Sequence, residues 1–233
     1  TGARIDRIGR RAKYLLMTLE TGVTLIGHLG MSGSFRIEKT PDPALILDPH
    51  DHVIFETMRG ARVRYHDPRR FGFMLLTTEE ALPVHPQIKD IGPEPLGNEF
   101  NGPLLASRLE GRKSPVKTAL LDQKVVAGVG NIYASEALHR SGISPKRLAA
   151  NVGPVRAERL ATAIREVLEE AILSGGSTLR NYSRTDGELG YFQHRFQVYD
   201  KEGNPCPTPG CGGTVKRIVQ GARATFYCPA CQR

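Results

Sequence analysis

The sequence predicts an α+β protein, and three observations predict it. The first hundred residues break into short apolar runs separated by Gly, Pro and Asp. The next hundred carry apolar residues at helical spacing. All four cysteines of the 233-residue chain fall within its last 28 residues.

The strand-rich part reads in order. Tyr14–Leu19 is a short apolar run, and Thr21-Gly22 is a turn signal. Val23–Leu29 follows, then Gly30-Met31-Ser32-Gly33, then Ser34–Ile37. A loop rich in proline (Pro41, Pro43, Pro49) leads to His52–Met58, and Arg59-Gly60 turns the chain into Ala61–Tyr65. Asp67-Pro68 ends that run and Phe71–Leu76 resumes it. Short strands with turn residues between them point to a sandwich or barrel. Residues 77–102 hold Pro83, Pro86, Pro93 and Pro95. Proline fixes φ and donates no hydrogen bond, so this stretch reads as a linker.

Helical signals follow. Ser114 is placed to cap a helix that has Pro115 at its first position and runs to about Leu121. Gln123–Gly130 reads as a loop, and Asn131 as the cap of a second helix from Ile132 to His139. The tight turn Gly128-Val129-Gly130-Asn131 lets backbone N–H groups converge on an anion, with Lys117 and Lys124 near in sequence; a plain capped helix fits the same residues. A longer helix spans Val155–Leu173, with Leu160, Ile164, Val167, Leu168, Ala171 and Ile172 on one face. Ser177 to Tyr191 has no clear period, and a loop of that length is more often functional than idle.

The cysteines form two pairs. Cys206 and Cys211 have four residues between them, Cys228 and Cys231 have two, and sixteen residues separate the pairs. Four thiolates so spaced can converge tetrahedrally on Zn²⁺, with Thr214–Val219 and Ala224–Tyr227 as strands and Gln220–Arg223 as the turn between them. A segment this small cannot bury enough core to fold alone, so the metal would supply its stability. Two disulfides or inert thiols are the alternatives. Four sulfur ligands leave no open position, so the expected Zn²⁺ is structural.

Charge narrows the partner. The net charge is +8; residues 1–76, 103–200 and 201–233 each carry +4, and residues 77–102 carry −4. Clustered Lys and Arg suit a polyanion, because they displace condensed counterions from a phosphate backbone; an ordinary basic protein fits the charge equally. No apolar run reaches the roughly 18 residues that a membrane helix needs, and Thr1 to Lys13 is polar and basic rather than a secretory signal. The expectation is a soluble, intracellular protein.

Taken together, several segments resemble the formamidopyrimidine-DNA glycosylase family of bacterial base-excision repair. They are Gly9–Leu16 (GRRAKYLL), His28–Ser34 (HLGMSGS), Asp67–Gly72 (DPRRFG), Gly92–Leu96 (GPEPL), Gly128–Glu136 (GVGNIYASE), Tyr191-Phe192-Gln193, Asn204-Pro205-Cys206 and Arg223–Gln232 (RATFYCPACQ). The matches cover the whole chain in order. The resemblance implies an N-terminal β-sandwich over 1–92, a helix–two-turn–helix domain over 93–200 and a zinc-finger hairpin over 201–233.

It also implies roles. An enzyme acting on a base inside a duplex must extrude that base and fill the hole. Met31 and Phe71 are then the wedges and Arg69 the partner of the orphaned cytosine; ordinary core is the alternative for both apolar residues. Lys13 would reach the lesion's phosphate or sugar and assist elimination. Lys117, Asn131 and Arg223 would clamp phosphates, with Arg223 also serving elimination. His50 and Arg112 match DNA-contacting positions, and Ser177–Tyr191 matches the segment that caps the everted base.

The expected activity is excision of 8-oxoguanine and formamidopyrimidines from double-stranded DNA, followed by β,δ-elimination, by a cytoplasmic, nucleoid-associated monomer. The family's nucleophile is an N-terminal proline followed by a glutamate, and the sequence opens instead at Thr1-Gly2. The expectation is therefore a sandwich lacking its first part, read as an incomplete stretch of a full enzyme; a non-catalytic short form that binds damaged DNA is the alternative. An oxidised-pyrimidine branch and an unrelated zinc ribbon explain fewer of the residues.

Overall fold

The computed structural model describes residues 2–42, 44, 46–177, 185 and 189–233. The chain divides into two compact units. One holds residues 1–89 with 174–193, the other residues 90–173 with 194–233.

The first unit is a β-sandwich of two antiparallel sheets. Its strands are β1 (Ile5–Arg11), β2 (Tyr14–Leu19), β3 (Val23–His28), β4 (Ser34–Glu38), β5 (Asp51–Glu56), β6 (Arg62–His66) and β7 (Phe73–Thr78). One sheet runs β1-β2-β3-β7 and the other β4-β6-β5. Thr24 and Ile26 alternate inward on β3, and Thr24 bonds across to the Thr18 hydroxyl of β2 at 3.1 Å. In the second sheet Asp51 accepts from Arg64 at 2.6 Å and faces His66 Nδ1 at 3.0 Å, and Arg64 also pairs with Glu38. Buried Arg64 thus divides its charge between a carboxylate from each neighbouring strand.

β1 carries little apolar signal, and the sequence pattern places the first strand only at Tyr14. Residues Ile5 to Arg11 are mostly exposed, so no inward face announces the strand. The pairing with β2 makes it one.

The second unit is helical, with a hairpin at its end. The helices are α1 (Gly102–Leu109), α2 (Val116–Leu121), α3 (Asn131–Arg140) and α4 (Gly153–Leu173). The hairpin strands are β8 (Lys216–Gln220) and β9 (Arg223–Tyr227). α4 packs on α1 and α3 through Leu160, Ile164, Val167 and Ala171. Ile172, expected on the same face, is 65% exposed, because it sits one position beyond Ala171 and is turned about 100° from it. α1 follows a stretch whose prolines read as linker, yet Asn101 caps it, accepting from the Leu104 N–H at 2.9 Å, with a proline in its first turn.

Two caps also differ from expectation. Pro115, not Ser114, precedes α2, and Gly130, not Asn131, precedes α3. Asn131 is the first residue of α3, and its side chain is directed elsewhere. The first hairpin strand begins two residues and ends one residue later than expected, the second begins one residue earlier and ends at Tyr227 as expected, and Gly221-Ala222 alone makes the turn, both at positive φ. Arg223 therefore opens β9 instead of sitting in the turn.

No helix among the described residues is long and apolar enough to cross a membrane. Leu160→Ala should lower the free energy of urea unfolding by about 2–5 kcal/mol, while Ile172→Ala should change it by less than about 0.5 kcal/mol. Equal losses would contradict the assignment of the buried face of α4.

Candidate nucleic-acid interface

In the sandwich unit, strand register gathers the expected residues at one end. Tyr14 pairs with His28, and His28 with Phe73, so the Ala12-Lys13 turn, the loop after β3 and the loop before β7 leave from the same edge. In the other sheet Ser34 and Asp51 both pair with His66, which brings His50 and the opposite ends of those two loops there too. Ala12 takes φ 50°, and this two-residue turn leaves Lys13 exposed.

Asp67 ties the two loops together. Its buried carboxylate accepts from the Ser32 hydroxyl at 2.6 Å, the Gly72 N–H at 2.8 Å and the Tyr65 hydroxyl at 3.1 Å. Its N–H donates to the His50 carbonyl, and its own carbonyl faces His52 Nε2 at 2.9 Å. Burial raises the Asp67 carboxyl, but the hydrogen bonds from Ser32, Gly72 and Tyr65 outweigh it and hold it below the usual carboxylate range. Burial, then the bond to Asp67, pushes the Tyr65 hydroxyl up to about 12. Glycine is required where the loops meet: a Cβ on Gly30 would lie 2.6 Å from the Gly72 nitrogen and the Phe71 carbonyl carbon.

Loops held this way present apolar side chains to solvent. Met31 is 72% and Phe71 56% exposed, so neither is core. The Arg69 guanidinium lies 4.6 Å above the Phe71 ring, a cation–π contact that orders both. Lys13, His28 and the Leu29–Gly33 loop line a cavity of about 240 Å³. Burial, with the Lys13 charge beside it, holds the His28 imidazole below its ordinary range. His50 is exposed, its ring 5.9 Å from His66. Of the Ser177–Tyr191 loop, residues 178–184 and 186–188 lie outside the described residues; Ser177 and Tyr191 bridge its ends.

In the second unit, Lys117 and Asn131 converge on one carbonyl, that of the residue after Arg223. The Asn131 amide donates to the Ala224 oxygen at 2.9 Å, and Lys117 Nζ reaches the same oxygen at 3.5 Å. Ala224 follows Arg223, which is exposed. Lys117 is fully buried. Burial, then the charge of Arg223, lowers its ammonium from 10.5 to about 8. The folding penalty from this cation is full below about pH 8 and fades towards 10.5, where the unfolded lysine also loses its proton. Arg112 does not join this group; it donates to Asp122 at 2.9 Å and to the Arg108 carbonyl.

The four cysteine sulfurs lie within 4.8 Å of one another. Cys206–Cys231 and Cys211–Cys228 are separated by 3.7 and 3.6 Å. A tetrahedral site with Zn–S bonds of about 2.3 Å has edges of about 3.8 Å, so the set fits Zn²⁺; a disulfide would need about 2.05 Å. A Cβ on Gly213 would lie 2.7 Å from the Cys228 sulfur, so only glycine fits beside the thiolates. The second sulfur pair is also fixed from behind. Gln232 accepts from the Cys228 N–H at 2.7 Å and donates to the Ile143 carbonyl at 2.9 Å.

Comparison with known proteins agrees over the whole chain. The formamidopyrimidine-DNA glycosylase N-terminal domain matches residues 1–74, the formamidopyrimidine-DNA glycosylase H2TH domain residues 91–183, and the zinc finger found in FPG and IleRS residues 203–233. The formamidopyrimidine-DNA glycosylase of Beijerinckia indica subsp. indica is 55% identical over 242 residues, covering 100% of this chain and 84% of that protein. That of Azorhizobium caulinodans is 55% identical over 248 residues, covering 100% and 85%. The chain belongs to the formamidopyrimidine-DNA glycosylase family.

Solved members of that glycosylase family share the fold. The crystal structure of MutM (Fpg) from Thermus thermophilus superposes with a TM-score of 0.88 at 43% identity, covering 99% of this chain and 84% of that one. The Lactococcus lactis Fpg in complex with DNA containing an abasic site gives 0.90 at 34%, covering 100% and 83%.

The residues that hold this glycosylase framework together are not among those singled out from the sequence. Glu136, fully buried in α3, accepts three backbone N–H bonds, from Gln197 at 2.9 Å, Val198 at 3.0 Å and Tyr199 at 2.8 Å. Tyr199 in turn lies against Phe226 and sits 3.3 Å from the Asn131 amide. A glutamate at an apolar helix position is the available signal, since buried charge is rare without partners. Ser32 and Asp67 stand in the sequence only as parts of loops. Glu136→Gln keeps the volume but swaps one acceptor for a donor facing N–H groups. It should lower stability by about 2–3 kcal/mol in denaturant titration, and wild-type stability would show that the three bonds contribute little.

Proposed function

We propose that this protein is a base-excision repair enzyme that recognises oxidised purines, 8-oxoguanine and formamidopyrimidines, in duplex DNA. It everts the base, excises it and nicks the abasic site by β,δ-elimination. The observation that carries the reading is the common origin of Lys13, Met31, His50, Arg69 and Phe71 at one end of the sandwich, in a chain of this family.

Each residue then has a task suited to its setting. Met31 and Phe71, exposed on loops fixed by Asp67, enter the stack where the base leaves. Arg69, steadied over Phe71, offers planar donors to the orphaned cytosine. Lys13, beside the cavity that His28 also lines, supplies a cation to the lesion's phosphate or sugar and assists elimination. Lys117, Asn131 and Arg223 clamp phosphates, and Arg223 also serves the elimination. His50 and Arg112 add backbone contacts, Arg112 after exchanging Asp122 for phosphate. Cys206, Cys211, Cys228 and Cys231 hold one structural Zn²⁺, which fixes the hairpin that carries Arg223.

Three working parts follow: the sandwich over 1–92, the helix–two-turn–helix part over 93–200 and the finger over 201–233. The enzyme works as a monomer on the nucleoid in the cytoplasm, with no membrane partner.

Borohydride trapping on a duplex with one 8-oxoguanine opposite cytosine, beside a mobility shift, tests the reading. A nicked strand is expected, with a covalent adduct formed through an amine of this chain, Thr1 or a lysine. A lesion-specific shift without either would remove the lyase chemistry and leave a binder of damaged DNA; equal binding to undamaged duplex would remove the lesion reading itself.

The Lys117 clamp gives a second test. Its proton is held only to about pH 8 in the free protein, so affinity for duplex should fall as pH rises through 8, by at most about tenfold per unit. Lys117→Met should bind more weakly at pH 7 and lose this slope. A wild-type affinity flat from pH 7 to 9.5 at fixed ionic strength would exclude a phosphate contact by Lys117.

A further inference from the structure

The first cysteine pair of this chain is wider than the common two-residue knuckle, and the phosphate clamp makes no use of the extra residues. The intervening sequence is Pro207-Thr208-Pro209-Gly210. A proline on each side fixes φ on both flanks of Thr208, and the Cys211 N–H closes the turn on the Thr208 carbonyl at 3.1 Å. The Thr208 side chain points back towards the metal site. Its hydroxyl lies 3.8 Å from the Cys231 sulfur and 3.3 Å from His139 Nε2. His139 Nε2 also lies 3.5 Å from the Cys206 sulfur.

His139 belongs to α3, not to the finger. It is buried, and its Nδ1 faces the Gln197 side-chain oxygen at 2.9 Å. Gln197 donates its backbone N–H to Glu136, one turn earlier on the same helix. With all four sulfurs present as thiolates, none has a proton to give, so a nitrogen in contact with Cys206 sulfur is favourable only as an N–H donor. The hydroxyl of Thr208 completes the set: it shares the single His139 Nε2 proton with the Cys206 sulfur and directs its own proton to Cys231. A side-chain amide can be turned either way, so Gln197 can satisfy Nδ1 in either role.

We propose that His139 and Thr208 form a hydrogen-bonded latch that fastens the wide cysteine knuckle to α3 and donates to two of the four zinc-binding sulfurs. They are positioning residues that act through the Cys206 and Cys231 sulfurs. The N–H and O–H donors spread the negative charge that four thiolates place around one Zn²⁺. The latch also ties the finger to the helix whose first residue is Asn131, about 12 Å away along the helix axis. The extra residues of the knuckle supply its second donor.

The test uses the full zinc-loaded chain, Thr208→Val, His139→Leu, the double variant and Thr208→Ser. Zinc affinity is read by chelator competition, and the sulfur-to-metal charge-transfer band is read after replacement by Co²⁺. Thr208→Val, isosteric and only partly buried, should weaken zinc about tenfold and move the band to lower energy. Thr208→Ser should restore both. The double variant should lose no more than the worse single variant, because the two side chains act as one unit. Wild-type affinity with an unmoved band in Thr208→Val, or a Thr208→Ser variant as weak as Thr208→Val, overturns the latch. If His139→Leu fails to fold by circular dichroism, the threonine pair decides alone. A wild-type chain that binds no zinc overturns the metal site and the latch with it, an outcome distinct from unchanged affinity in the variants.

Discussion

The carboxylate of Asp67 is the interaction on which the sandwich end depends. The side chains proposed to meet DNA stand on loops, and an exposed Met or Phe has no packing to hold it. Order has to come from behind. Asp67 supplies it by engaging donors from β6, from the loop after β3 and from the loop before β7 at once. Removing any one donor would leave a buried charge short of partners, which is far costlier than losing one surface contact. The helical unit repeats the device with Glu136, whose three backbone N–H bonds pin the segment leading to the finger. In both cases a buried carboxylate fixes irregular chain, through backbone and hydroxyl donors at Asp67 and through backbone donors alone at Glu136.

The finger shows the complementary solution for a segment with little core. Val198, Val215 and Phe226 form a small apolar cluster, extended by Tyr199 and Ala224. Beyond it, order comes from the metal ligands, from Gly213 against the sulfurs and from Gln232 reaching Ile143. The hairpin is thereby a rigid arm, and Arg223, opening β9 next to a tight turn, inherits its rigidity.

Much of this is legible in the sequence because it rests on local rules. The cysteine spacing, the glycines of the Gly30–Gly33 loop and the apolar stripe of α4 each carry their own signal, and the family segments set the order of the parts. The failures share a cause. β1 is a strand through its pairing with β2, and α1 is a helix with a proline in its first turn, directly after a proline-rich acidic stretch; neither shows its fold in its own pattern. Asn131 reads as a cap because residue type alone cannot tell a capping amide from one aimed at Ala224, 93 residues later. Asp67, Glu136 and His139 matter through partners distant in sequence, which no single-chain pattern displays.

The burial of Lys117 has an evolutionary consequence. A lysine stripped of water in the free protein weakens the fold at neutral pH, and among the described residues its compensation is one long contact to a carbonyl. Selection for heat resistance alone would therefore discard it early, in favour of an apolar residue of similar length. With the phosphate role proposed for it, Lys117 stands on the side of activity in the trade-off between stability and function. A thermostable relative that keeps the lysine must find its added stability elsewhere in the chain.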